Sequence, residues 1–180
     1  MAEDPFVDTA LAVAHQVIRS PLVVRRGAAL FYELTLNNEL QLTVNPRAPA
    51  RGQAAFQTDL CVFEQREADI ELPRVVLEFK TRLTTHDVLT YSTKARRHKQ
   101  VYPYLRYGLV LGGSSVVPRR FFRHNEALDF VLAAADLTNK SFRQAFASLV
   151  SAEVAASQTL ERLSFAAASV RQYRNQPECS

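Results

Sequence analysis

The chain has 180 residues, 47% hydrophobic and 22% charged, which excludes a disordered or fibrous polymer and suits one globular domain over residues 1–180. Its 22 Lys and Arg against 18 Asp and Glu give a net charge of +4, enough to tolerate a polyanion without demanding one. No apolar run approaches bilayer length and no leader-like start is seen, so a cytoplasmic protein without membrane association is expected; Cys61 and Cys179 are too few for a disulfide framework or zinc site.

Residues 7–18 carry Leu11, Val13, Ala14, Val17 and Ile18 at helical spacing, with Asp8 or Thr9 as a cap, and predict a first helix. Residues 27–40 read as a second helix, the alternative being a hairpin turned by Asn37-Asn38. Leu40, Leu42 and Val44 then alternate with polar neighbours as a half-buried strand does, and residues 45–52, with Pro46, Pro49 and Gly52, form a loop. Residues 56–63 and 74–80 predict two more strands, joined by the charged segment 64–71 and restarted after Pro73.

Thr84-Thr85-His86-Asp87 opens a helix that runs to about Tyr102 and stops at Pro103. Residues 107–111 predict a buried strand ended by Gly112-Gly113, residues 125–135 a helix, and residues 141–173 an alanine-rich helix. The order helix, strand, strand, strand, helix, strand, helix predicts an α/β sandwich with a mixed sheet. Its core spans about residues 27–135, and a helical C-terminal extension covers about 138–175.

Asp59 on one strand is followed, after eighteen intervening residues, by Glu78-Phe79-Lys80 at the end of the next. Side chains alternate along a strand, so Glu78 and Lys80 project to one side and Phe79 to the other, while Asp59 reaches the same space from its own strand. Two carboxylates and a main-chain carbonyl make a hard oxygen cage for Mg²⁺ or Mn²⁺, and a lysine beside them can orient an attacking water. Taken alone, Glu-x-Lys at a strand end is an exposed ion pair of little consequence. What raises it is the Asp partner, the apolar approach Val75-Val76-Leu77 and the basic helix that follows.

The pattern of an Asp on one strand and Glu-x-Lys on the next resembles the PD-(D/E)xK nuclease superfamily, with Thr58-Asp59 where that family often has Pro-Asp. The resemblance covers roughly residues 27–111 and implies a restriction-endonuclease-like αβββαβ core. It also implies a magnesium-dependent nuclease, restriction-like or of a phage-defence kind, acting on DNA. Asp59, Glu78 and the carbonyl of Phe79 would be the metal ligands and Lys80 the catalytic lysine, with Glu33, or Glu39 beside it, as a further carboxylate on the preceding helix. Gln100 and Tyr104 match the Gln-x-x-x-Tyr of the family's exonuclease-like branch. The rival reading is a nuclease-like fold kept as a non-catalytic nucleic-acid-binding or assembly module.

The run Lys94, Arg96, Arg97, His98, Lys99, with Tyr91, Tyr102, Tyr104 and Tyr107 interleaved, reads as a phosphate-gripping face beside the carboxylates; alone it would read as a solvated helix face. Lys94, Arg97, Lys99, Gln100 and Tyr104 are the expected nucleic-acid contacts, and Arg119, Arg120 and Arg123 extend the surface. No Gly-rich phosphate loop is present, so a nucleotide cofactor is not expected. The apolar stripe Leu149, Val150, Val154, Leu160, Leu163, Phe165 requires a cover, either the sheet or a second subunit of a homodimer.

Overall fold

A computed structural model describes residues 3–136 and 138–166. Helix α1 (Glu3–Val17) buries Phe6, Val7, Ala10, Val13 and Ala14, the repeat of one helical face. Strand β1 (Leu22–Arg26) follows. A separate two-stranded ribbon pairs β2 (Ala29–Phe31) with β3 (Ala55–Gln57). Strand β4 (Leu60–Arg66) turns through the 3₁₀ segment Glu67–Asp69 into the long β5 (Ile70–Lys80). Then come α2 (Thr85–Val101), β6 (Arg106–Gly112), the short α3 (Arg119–His124), β7 (Phe130–Ala134) and α4 (Lys140–Phe165).

The main sheet has the order β1-β4-β5-β6-β7. Its first three strands are antiparallel neighbours, and β5, β6 and β7 are parallel, joined by crossovers that contain α2 and α3. The α/β class, the mixed sheet and the C-terminal helix are therefore as expected. One face carries α1 and α4 over Leu60, Val62, Val75, Leu77, Phe79 and Val110. The other carries α2 and α3 over Cys61, Phe63, Val76, Tyr107, Leu109 and Leu111. β5 and β6 are buried on both faces, which is why they read as near-continuous apolar runs. Among the described residues, no helix is long and apolar enough to cross a membrane.

Several expectations are corrected. Residues 27–40 hold no helix: Asn37 accepts the Glu39 and Gln41 N–H groups at its Oδ1 (2.9 and 3.0 Å), trading helix bonds for a local turn. The strand expected at Leu40, Leu42 and Val44 shrinks to a single Leu36–Leu42 bridge, all that survives of the hairpin alternative. Residues 56–63 are not one strand, because Thr58 donates both its N–H and its hydroxyl to the Ala28 carbonyl and passes the chain from the ribbon to the main sheet. Residues 125–135 are not a helix. The Asn125 amide bonds both the N–H and the carbonyl of Leu128, closing a turn that releases Phe130–Ala134 into strand β7. β1 was not anticipated, although Leu22-Val23-Val24 after Pro21 is strand-like. The last helix is formed to Phe165; its expected continuation to Tyr173, and Cys179, lie outside the described residues.

Of the stripe on α4, Val150 and Val154 are buried against the sheet with Leu149 beside them, joined by Phe142 and Phe146, while Leu160 and Leu163 stay half-buried and Phe165 is 69% exposed. Beyond these, α4 is tied down by Arg74, which is the extra residue of a β-bulge opposite Val62/Phe63 and is fully buried. Its guanidinium bonds Glu64 (3.0 Å), Glu161 (2.6 Å) and the Ser157 hydroxyl (3.4 Å), and lies 5.3 Å from the centre of the Tyr104 ring. Arg74→Ala removes the buried cation from Glu64 and Glu161 and leaves them the more exposed Arg66, 3.1 and 2.8 Å away. It is expected to cost about 3 kcal/mol or more, read as a fall of roughly 6–12 °C in the melting temperature.

Candidate active site

The β4–β5 register pairs Leu60 with Leu77 and so sets Asp59, just before β4, opposite Glu78. Directly opposed residues of an antiparallel pair share a face. Val75, Leu77 and Phe79 belong to the α1/α4 side, so Val76, Glu78 and Lys80 turn to the α2 side, as their alternation requires. Glu78 is 2% exposed. Its Oε1 accepts from the Tyr107 hydroxyl at 2.5 Å, and its Oε2 accepts the Asp59 N–H at 3.4 Å. Asp59 in turn accepts the Phe79 N–H at Oδ2 (2.8 Å). The two carboxylates are thus cross-tied through each other's strands.

Two lysines complete the face. Lys94, on α2, holds its ammonium 4.0 Å from Glu78 Oε1, and 5.1 and 5.7 Å from the ring centres of Tyr91 and Phe56. The Lys80 ammonium is 5.7 Å from the centre of the same Tyr91 ring. Both ammonium groups therefore lie within reach of one Tyr91 ring, a contact that its negative ring face favours.

Burial and then the charge of Asp59 push the Glu78 carboxyl up to about 7, with Lys94 and the Tyr107 hydrogen bond opposing. Burial, followed by the Glu78 charge, likewise raises the Tyr107 phenol well above its ordinary value, so it stays a donor. Behind Tyr107 stacks His98, with ring centres 5.6 Å apart. Its Nδ1 bonds the Phe31 carbonyl at 2.9 Å, and Nε2 is buried with no hydrogen-bond partner among the described residues. Burial and then the nearby Lys94 charge lower the His98 pKa against the pull of that carbonyl, so the ring is a neutral spacer under the site.

The structure brings Asp59, Glu78, Lys80 and Lys94 together, and leaves Arg97 and Gln100 exposed on α2. It does not bring the other expected residues. Glu33 lies exposed in the irregular segment after β2, not on a helix, and accepts from the Thr35 hydroxyl (3.5 Å). Glu39 sits in the Asn37 turn. Lys99 is paired with Asp129 at 2.6 Å and donates to the Ala127 carbonyl at 2.7 Å, which makes it a structural clamp. Tyr104 is buried beside Arg74, its phenol pushed up to about 12 mainly by that burial. Tyr107 and Phe56 are functional neighbours that sequence reasoning did not assign to the carboxylates. The signal for Tyr107 was a phenol inside an otherwise aliphatic strand, which needs a buried partner.

Among the described residues, no group of three or more His, Cys, Asp and Glu side chains gathers. A hard cation held by Asp59 and Glu78 would therefore draw its other ligands from carbonyls, water or a phosphate, as Mg²⁺ commonly does. Compared with known proteins, the chain matches no protein-family model, and no curated protein sequence matches it significantly.

Proposed function

We propose that the chain is a metal-dependent nuclease that hydrolyses phosphodiester bonds, with DNA as the substrate. The observation that carries this reading is the direct opposition of Asp59 and Glu78 on paired strands, with Lys80 on the same face. The donor set fits a hard divalent cation. Two carboxylates are cross-tied in a mostly dry space, and one of them is held near pH 7 by its burial and by the other's charge, so the pair is short of positive charge. Asp59 and Glu78, with the Phe79 carbonyl, would hold Mg²⁺ or Mn²⁺. When bound, the ion supplies Lewis acidity to the phosphate and lowers the pKa of a bound water.

The protein's own contribution is position and charge. The Phe79 N–H and the Tyr107 hydroxyl fix the orientation of the two carboxylates. Lys80, two residues past Glu78, orients the attacking water and stabilises the charge it develops. Lys94 presents an ammonium toward the phosphate, while Arg97 and Gln100 extend the contact along α2.

The chain order supports the same family. α1, β1, β4, β5, α2 and β6 run helix, three antiparallel strands, helix, parallel strand, which is the αβββαβ order that the PD-(D/E)xK resemblance implies. In this reading the leading helix is α1, and residues 27–57 are an insertion between the first two strands. Plasmid DNA incubated with Mg²⁺ is expected to be nicked or linearised by the native chain and not after chelation. Full activity after Asp59→Ala and Lys80→Ala together would end the proposal.

A further inference from the structure

The α2 face of the sheet is only partly covered. α2 packs toward α3 and β2, while over β1 and β4 the cover is the β2 segment and the loop that carries Pro46 and Pro49. Between them lies a cavity of about 570 Å³, within the usual size of ligand sites. Ala28, Ala29 and Ala48 line it where larger side chains would close it. The space is an open groove, with Arg25, Arg47, Ala48 and Asp69 exposed along its edge and Phe63 and Tyr104 buried at its base.

The chemistry of the walls is consistent. Phe63, Tyr102 and Tyr104 supply aromatic surface. Arg25 lies over the Phe63 ring with its guanidinium carbon 5.9 Å from the centre, and is paired with Glu71 at the rim. Arg47 overhangs from the loop, and among the described residues no carboxylate pairs with it. An aromatic slot with an unneutralised guanidinium at its mouth suits a flat heteroaromatic ring bearing a phosphate. Asp69, also on the wall, can accept from an exocyclic amino group.

Its place ties it to the site. Phe63 is four residues along the strand direction from Asp59, and both face the α2 side, a span of about 13 Å at roughly 3.3 Å per residue. That equals about four stacked nucleotides at 3.4 Å each.

We infer that this cavity takes one nucleotide of the substrate strand, its base against Phe63 and its phosphate at Arg47, a few positions from the bond being cut. The inference rests on the nuclease reading for its source of ligand, but it can be tested apart from cleavage. Deoxynucleoside monophosphates and a six-residue oligodeoxynucleotide are titrated calorimetrically into the full chain without divalent metal, and into Arg47→Ala, Ala48→Trp and Glu78→Gln. Circular dichroism melts show which variants fold.

The monophosphate is expected to bind with a Kd near or below about 1 mM and the oligonucleotide more tightly. Affinity for both should fall about tenfold or more in Arg47→Ala and Ala48→Trp, and stay unchanged for the monophosphate in Glu78→Gln. Oligonucleotide binding that ignores both cavity variants overturns the inference, as does a monophosphate that does not bind at about 10 mM. Cavity-sensitive binding by a chain that never cleaves DNA upholds the pocket and removes the nuclease reading. Cleavage without cavity-sensitive binding does the reverse.

Discussion

Replacing Lys80 with Met is expected to slow DNA cleavage by roughly 10²- to 10⁴-fold while leaving Mn²⁺ affinity equal to the native value or tighter. The sign follows from the electrostatics of the face. The Lys80 ammonium shares the Tyr91 ring with Lys94 and lies on the face that carries Asp59 and Glu78, so in the proposed site it would repel a divalent ion while stabilising charge on an attacking water. Asp59→Asn removes a charged ligand and should lose both properties, with Mn²⁺ binding weakened by about a hundredfold or more. Single-turnover cleavage and calorimetry on the same preparations separate the two. Equal losses of affinity and rate in both variants would mean that Lys80 is not a water-orienting group.

Glu78→Gln is expected to stabilise the metal-free protein at pH 8 by up to about 3 kcal/mol, or roughly 6–12 °C in melting temperature. The Glu78 carboxyl is raised from 4.5 to about 7 in the fold, chiefly by burial and next by Asp59. The folded chain therefore binds more protons than the unfolded one between those values. Stability from this group is full below pH 4.5, is lost as pH rises toward about 7, and is flat above. Gln keeps an acceptor for the Tyr107 hydroxyl and carries no charge to desolvate. At pH 4 the two proteins should melt within about 2 °C of each other, so the difference must grow with pH. A Glu78→Gln protein less stable than the native one at pH 8 would show that Glu78 is a structural ion partner rather than a carboxylate kept at a cost for function.

How much of this was legible depends on which physical period governs each residue. Glu78 and Lys80 were readable as one face because strand alternation is strict, but their meeting with Asp59 depends on the Arg74 bulge, which shifts the β4–β5 pairing by one residue and sets Asp59 opposite Glu78 rather than Leu77. On α2 the residue types were right but their azimuths were not used. At about 100° per residue, Lys94 falls on the side of Tyr91 and His98, while Lys99 turns toward β7 and Gln100 toward solvent. A helical projection would have kept Lys94 and dropped Lys99.

Glu33 was placed on a helix because apolar spacing in residues 27–40 was preferred to the turn offered by Asn37-Asn38, and the Asn37 side chain bonds the backbone locally and breaks the helix. Strand β7 was read as a helix for the same reason, since Asn125 closes a turn that hydropathy does not register. Tyr104 carried a family-like spacing from Gln100, yet its fate is set by Arg74, thirty residues earlier and delivered by a bulge. Long-range pairs of this kind leave no local signature.

The proposed function requires Asp59 and Glu78 to share one divalent ion. A crystal soaked in Mn²⁺, with data collected at the manganese absorption edge, tests it most directly. A single anomalous peak at about 2.0–2.3 Å from an oxygen of each carboxylate is the expected result. A crystal that shows no peak between residues 59 and 78, or a peak bound to only one of them, would contradict the assignment.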